Sequence, residues 1–123
     1  MTNNEILSLY EGLQSVKNSG DIKFPARTTF IVVRNMKTLE PIVDAIVEAK
    51  NGLLKELGIP DEKNPGSFFI PEENRQKLAQ QMEDLDNIDN NIEFKKIKWE
   101  DIEPLNLSIQ AMEALYPMIE EEN

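Results

Sequence analysis

The chain has 123 residues, of which 40% are hydrophobic and 29% charged, and this globular composition fits a single domain. It has no cysteine, which excludes disulfides and thiolate metal sites, and no histidine, which removes the commonest general base and metal ligand. The formal net charge of −10 argues against general nucleic-acid binding, which needs a positive footprint.

The negative charge is concentrated toward the C-terminal end of this single domain, 1–123. Residues 99–123 hold seven carboxylates and no Lys or Arg, whereas the rest of the chain carries 16 acidic and 13 basic residues. We interpret this acidic quarter as a solubilising surface. The chain also starts with no basic leader and has no apolar run of membrane-spanning length, so we expect a cytoplasmic protein with no membrane partner.

The first half of the chain predicts two helices. Apolar spacing indicates a helix over 3–18, capped by Thr2 or Asn3 and stopped at Gly20. A second, long helix is predicted over 26–57, bent or interrupted near Pro41. The run TTFIVV at 28–33 has the composition of a strand, so a strand there followed by a helix from Pro41 is the alternative.

The apolar side of the long helix forms a seam with three-to-four-residue spacing. A seam covered by other helices is ordinary core, whereas a seam longer than its partners would leave apolar surface for a second copy. We expect self-association along it, and hence a homo-oligomer. The self-association seam comprises Val32, Met36, Leu39, Val43, Ile46 and Leu53.

The second half predicts a loop over 59–66, a short strand over 67–70 and a helix that begins at Pro71 and ends near residue 86. A strand is predicted over 92–99, with a bulge near Lys95 and Lys96, and a last helix over 107–119 distorted by Pro117. The fold class is therefore α+β and predominantly helical, with a long central helix, three shorter helices and a small two-stranded β element.

The search for chemistry yields no catalytic constellation. No Ser-x-x-Lys sequence and no phosphate-binding glycine loop occurs, so we predict no catalytic residue, no cofactor and no metal site, and we expect that the protein is not an enzyme. The remaining enzymatic alternative is a carboxylate-metal nuclease arrangement around Glu93 and Lys95.

One cluster of basic residues is a candidate anion site. Arg27 and Arg34 are one heptad apart on the long helix, opposite its apolar seam, and Lys37 lies on the same side. Together they could hold a phosphate or a carboxylate. The alternatives are a solvated helix face and intramolecular pairing with the acidic C-terminal quarter.

Residues 24–58, 71–85 and 92–121 resemble a group of small proteins of unknown function from tailed bacteriophages and prophages. The resemblance is carried by the Arg- and Asn-bearing helix that runs into Leu39-Glu40-Pro41, by the alternating segment near 92–98, and by the ending Leu115-Tyr116-Pro117-Met118-Ile119. These are patterns of fold and not of chemistry. The resemblance implies a phage origin and a small accessory or structural role.

These observations together predict a non-enzymatic phage interaction protein, either a minor structural component or an assembly factor, whose partner is a phage or host protein. It would lie in the host cytoplasm or be associated with the virion, with no direct nucleic-acid binding. The alternative is an inhibitor of host defence, acting as an acidic mimic of nucleic acid or sequestering an anionic nucleotide at Arg27, Arg34 and Lys37.

Overall fold

The computed structural model describes residues 1–120. Within that range the chain forms five α-helices, one 3₁₀ turn and one two-stranded antiparallel sheet, which confirms the α+β, predominantly helical class. The elements in chain order are α1 (Asn3–Ser19), α2 (Ala26–Leu57), β1 (Ile59–Pro60), β2 (Phe68–Phe69), α3 (Glu72–Asp86), α4 (Trp99–Ile102), α5 (Ile109–Leu115) and the 3₁₀ turn (Tyr116–Met118).

Helix α1 begins and ends where its sequence predicts. The Thr2 hydroxyl accepts a hydrogen bond from the Glu5 amide at 3.2 Å, and the Glu5 carboxylate accepts one from the Thr2 amide at 2.9 Å. This reciprocal pair is a capping box, which satisfies two otherwise unpaired donors at the helix start. Gly20 ends the helix with φ of +68°, a left-handed conformation that costs glycine little.

Helix α2 is continuous over 32 residues, so the alternative strand at 28–33 is wrong. Within the run at 28–33, Thr28 and Val32 are buried and Ile31 packs against the core, whereas Phe30 and Val33 are exposed. This is the burial pattern of an amphipathic helix and not the alternation of a strand. Pro41 lies inside the helix and on its exposed side, where the missing N–H leaves one backbone acceptor without its helical partner.

The sheet is formed by β1 and β2, in which Ile59 pairs with Phe69 and Pro60 with Phe68. The predicted strand near 67–70 is thus confirmed, but its partner comes from 59–66, which the sequence predicted as a loop. A turn joins the two strands, with the Ser67 amide donating to the Asn64 carbonyl at 3.0 Å and Gly66 at φ of +89°. Proline followed by glycine is a typical sequence for such a turn.

The prediction of a strand over 92–99 is wrong. Residues 92–98 form no strand. The one bridge in this segment joins Ile97 to Ile119, and Trp99 already begins the unpredicted helix α4. The Ile97 amide donates to the Met118 carbonyl and the Glu120 amide to the Ile97 carbonyl, both at 2.7 Å. The segment therefore bonds to the chain's last described residues and not to a neighbouring strand.

The predicted helix over 107–119 is shorter in the structure. The Ser108 hydroxyl caps α5 by accepting from the Ala111 amide at 3.1 Å, and the helix gives way to the 3₁₀ turn at Tyr116. Pro117, which lacks an N–H, lies in this turn, so the predicted distortion is confirmed.

One hydrophobic core joins α1, the first two-thirds of α2, and the segments around Ile97, α4, α5 and the 3₁₀ turn. Helix α3 packs on the far part of α2 and has no fully buried residue. The fully covered core side chains are Ile6, Leu13, Leu39, Ile97, Ile102, Leu115 and Met118.

Candidate functional site

The side of α2 that points away from the core, called the outer face below, is exposed from its first turn to its last. Phe30 is 64% exposed and Val33 is 42% exposed, which is unusual for large apolar side chains on a helix that also supplies the core. Phe30, Val33, Arg34, Lys37 and Thr38 line a shallow depression of about 360 Å³. We call these five residues the basic–apolar patch.

The predicted anion site is divided by the fold. Arg27 forms a two-pronged ion pair with Asp101 of α4, with Nε at 3.1 Å and Nη2 at 2.8 Å from the carboxylate. Asp101 has only 14% of its side chain exposed, so this pair ties the start of α2 to α4. Arg27 is therefore occupied by an intramolecular ion pair. This agrees with the alternative that the basic residues pair with the acidic C-terminal quarter.

Arg34 and Lys37 remain exposed within the patch. In residues 1–120, Arg34 has no ion-pair partner, and Lys37 has a distant one, with its Nζ 3.9 Å from the Glu40 carboxylate one turn along. An ion pair that long and that exposed contributes little. Both cations are therefore available to a negatively charged group from outside the chain.

The predicted self-association seam belongs to the hydrophobic core of the chain itself. The prediction that these residues recruit a second copy is therefore corrected. Val32, Met36, Leu39 and Ile46 are buried, covered by α1 and by the segments around Ile97 and Met118. Val43 packs against the same cluster and Leu53, near the α3 end, is partly buried. Helices α1 and α3 both pack on α2, and none of the six seam residues is exposed.

The charges of α2 are segregated along its axis. Residues 26–39 contain Arg27, Arg34 and Lys37 and no acid, whereas residues 40–49 contain Glu40, Asp44 and Glu48 and no base. The helix dipole acts mainly on the first and last turns, which hold Arg27 and Lys55, so it does not account for the order of the charges between them. Asp44 and Glu48 are exposed, and the sequence search for site residues missed them.

A second concavity, of about 920 Å³, lies between α1 and α5. Its floor is made of small residues, since a Cβ placed on Gly12 would approach the Ala114 Cβ to 3.1 Å. The charged groups that line it in the described part of the chain are all carboxylates, so it disfavours anionic ligands. These carboxylates are Glu5, Glu11, Asp21 and Glu113.

The shifted pKa values belong to local structure and not to either concavity's chemistry. Hydrogen bonds from Thr2 hold the pKa of Glu5 below its ordinary value, and the Lys63 amide does the same for the pKa of Asp61. Burial and the nearby Glu40 carboxylate raise the pKa of Tyr10, whose hydroxyl lies 3.4 Å from that carboxylate. None of these groups is in the basic–apolar patch.

Residues 1–120 contain neither a cluster of metal ligands nor a helix that could span a membrane. No group of three or more acidic side chains is arranged to hold a metal ion. No helix in this range has the length and apolarity needed to cross a bilayer. Of the seven carboxylates of the acidic quarter, Glu121 and Glu122 lie outside the described residues.

Comparison with known proteins assigns no family. No protein-family model, curated protein or solved structure matches this chain significantly. The outer face of α2, with its exposed apolar side chains and its segregated charges, is therefore the feature from which function is inferred.

Proposed function

We propose that this protein acts by binding another protein through the outer face of α2, as a non-enzymatic accessory or assembly factor of a phage. The observation that carries the proposal is the basic–apolar patch, where exposed Phe30 and Val33 lie beside Arg34 and Lys37. The resemblance of the sequence to phage proteins supports the phage origin.

The composition of the patch is that of a binding surface. Aromatic residues and arginine are enriched in protein interfaces and carry much of their binding energy. A single exposed apolar residue is ordinary, but two adjacent ones on a rigid helix, flanked by cations, form a contiguous surface that water solvates poorly.

A photo-crosslinking amino acid placed at position 30 tests the proposal. In a lysate of cells that produce the phage, we expect it to yield one dominant crosslinked species, identified by mass spectrometry. The matched control carries the same crosslinker at Lys77, an exposed position of α3. Equal, diffuse labelling from both positions would contradict a binding surface on α2.

Substitution at the patch supplies the quantitative test. Phe30→Ala with Val33→Ala should weaken binding of the captured partner by about tenfold or more, since each removes buried apolar area from the interface. Ile109→Ala is the control, because Ile109 is 76% exposed on α5 and lies outside the patch. Identical binding by the double variant and the control would refute the assignment.

The second candidate function is capture of an anionic nucleotide, which would make the protein an inhibitor of host defence. The depression of about 360 Å³ is within the size range of ligand pockets and combines an aromatic ring with two cations and the Thr38 hydroxyl. Phe30 could stack on a base while Arg34 and Lys37 hold phosphate oxygens. Isothermal calorimetry with a nucleotide panel tests it, and no heat from any nucleotide would remove this candidate.

A further inference from the structure

The outer face of α2 has an internal symmetry that points to its partner. Starting at Phe30, exposed residues recur at steps of 4, 3, 4, 4, 3 and 4, which keep to one side of a helix with 3.6 residues per turn. Read from either end, the spacing is the same, and Pro41 is its centre. We call these residues the stripe: Phe30, Arg34, Lys37, Pro41, Ala45, Glu48 and Gly52.

Two of the three pairs at equal distances from Pro41 are complementary, the exception being Lys37 with Ala45. Arg34 lies seven residues before it and Glu48 seven residues after it, so a basic group corresponds to an acidic one. Phe30 and Gly52 lie eleven residues to either side, which relates the largest side chain of the stripe to the smallest. A Cβ at Gly52 would meet no atom within 4 Å, so the surface there is open to an incoming ring.

We propose that the partner of this surface is a second copy of the chain, docked antiparallel on a two-fold axis at Pro41. In that arrangement Arg34 of each copy faces Glu48 of the other, and each Phe30 ring covers the other copy's Gly52. The proposal rests on the proposed function, in which the outer face of α2 is the protein-binding surface, and it names the occupant of that surface.

Charge complementarity selects the antiparallel orientation. Between residues 30 and 52 the outer face has Arg34 and Lys37 before Pro41, and Asp44 and Glu48 after it. Over this stretch antiparallel copies place opposite charges together, whereas parallel copies place like charges together. A two-fold interface is also self-complementary by construction, because residue i contacts residue j and residue j contacts residue i. This is the pattern that the stripe displays.

Charge reversal with compensation tests the register. By sedimentation equilibrium the wild-type chain should dimerise, and Arg34→Glu or Glu48→Arg alone should weaken dimerisation by about tenfold or more, because each places like charges together twice. The double variant Arg34→Glu with Glu48→Arg should restore the wild-type constant to within about threefold. Lys77→Glu on α3 is the matched control and should change nothing.

An introduced cysteine tests the axis, since the natural chain has none. Pro41→Cys places one thiol of each copy next to the other, so mild oxidation should convert the protein to a disulfide-linked dimer. Ala45→Cys is the control on the same face, because its two copies lie about 12 Å apart along the helices, beyond disulfide reach. Efficient crosslinking at both positions would indicate parallel helices and overturn the proposal.

The outcomes separate this proposal from the function on which it rests. A wild-type chain that stays monomeric at every concentration, or a dimer that ignores Arg34→Glu, would overturn the antiparallel dimer. If the crosslinker at position 30 then captures a different protein, the proposed function stands without it. If that crosslinker captures no protein, both the antiparallel dimer and the proposed binding surface on α2 are refuted.

Discussion

Asn35 joins α2 to the segment 92–98. It is 1% exposed, its side-chain amide donates to the Lys95 carbonyl at 2.9 Å, and its side-chain oxygen accepts from the Lys95 amide at 2.9 Å. The same amide approaches the Met118 sulfur at 3.3 Å. One side chain thus supplies the paired donor and acceptor that a neighbouring strand would otherwise provide.

Replacing Asn35 should lower the free energy of unfolding by more than the loss of one hydrogen bond would. In Asn35→Ala both backbone groups of Lys95 lose their partner inside the protein, and we expect a loss of about 2–4 kcal/mol in the free energy of unfolding, measured with urea. The control, Asn51→Ala, removes an exposed asparagine from the same helix and should change stability by less than about 0.5 kcal/mol. Equal effects would show that Asn35 does not hold the segment.

The capping box of α1 predicts that the free energy of unfolding depends on pH. Because the pKa of Glu5 is lower in the folded protein than in the unfolded chain, its contribution to stability is complete above the unfolded pKa. That contribution is lost as the pH falls through the lowered folded pKa. The stability difference between wild type and Glu5→Gln should therefore shrink on acidification and vanish once Glu5 is protonated in both states.

The cap itself can be removed separately. Thr2→Ala deletes the hydroxyl that accepts from the Glu5 amide and should lower the free energy of unfolding by about 1 kcal/mol at neutral pH. Circular dichroism during chemical unfolding measures both variants. A Glu5→Gln difference that stays constant over the acidic range would contradict the assigned role of the carboxylate.

At the scale of elements, Pro41 interrupts the hydrogen bonding of an otherwise regular 32-residue helix. Pro41→Ala restores a donor for the Lys37 carbonyl without filling any buried space, because position 41 is exposed. We expect the free energy of unfolding to rise by about 1–3 kcal/mol. Pro65→Ala, in the turn between β1 and β2, should act in the opposite direction, because there proline matches the local backbone.

Local signals were sufficient to predict the helices. Thr2 and Gly20 bound α1, the regular apolar spacing predicts α2, and Pro71 begins α3. All three signals are local, and the four-residue α4 is the helix that the sequence did not predict. The seam residues were correctly placed on one side of α2. Whether that side was core or binding surface depended on which elements cover it, and this information lies in distant segments.

Long-range pairing explains the predictions that failed. The alternation of Ile92 and Phe94 predicts a strand, but the hydrogen-bonding partners of this segment are Asn35 and residues 118–120, which no local pattern connects to it. Arg27 likewise pairs with Asp101, 74 residues away, so the predicted three-residue anion site loses one member.

At the scale of the whole molecule, the side chains of helix α2 are buried unevenly along its length. Its first two-thirds pack into the core with α1, whereas its last part is covered by α3, which has no fully buried residue. Two polar contacts join α3 to α2: the Lys50 ammonium lies 3.0 Å from the Asp86 carboxylate, and the Asn74 amide donates to the Leu57 carbonyl at 3.0 Å. The α3 end should therefore open before the core does.

Hydrogen exchange followed by mass spectrometry measures this difference directly. Amides of α3 should exchange faster than those of α1 and of residues 30–46, because local opening of α3 exposes little apolar surface. Lys50→Ala should accelerate exchange in α3 and leave α1 unchanged, with Lys55→Ala as the exposed control on the same helix. Uniform protection across all three helices would contradict the model of uneven stability.

The Pro65–Gly66 turn offers a practical position for labelling. It is exposed, a Cβ on Gly66 would meet no atom within 4 Å, and it joins strands that follow directly from the end of α2. Short peptide tags or fluorophores inserted there should leave the core and the outer face intact. Because α2 is a single rod, a fluorophore at this tip would report the orientation of the whole helix inside a larger assembly.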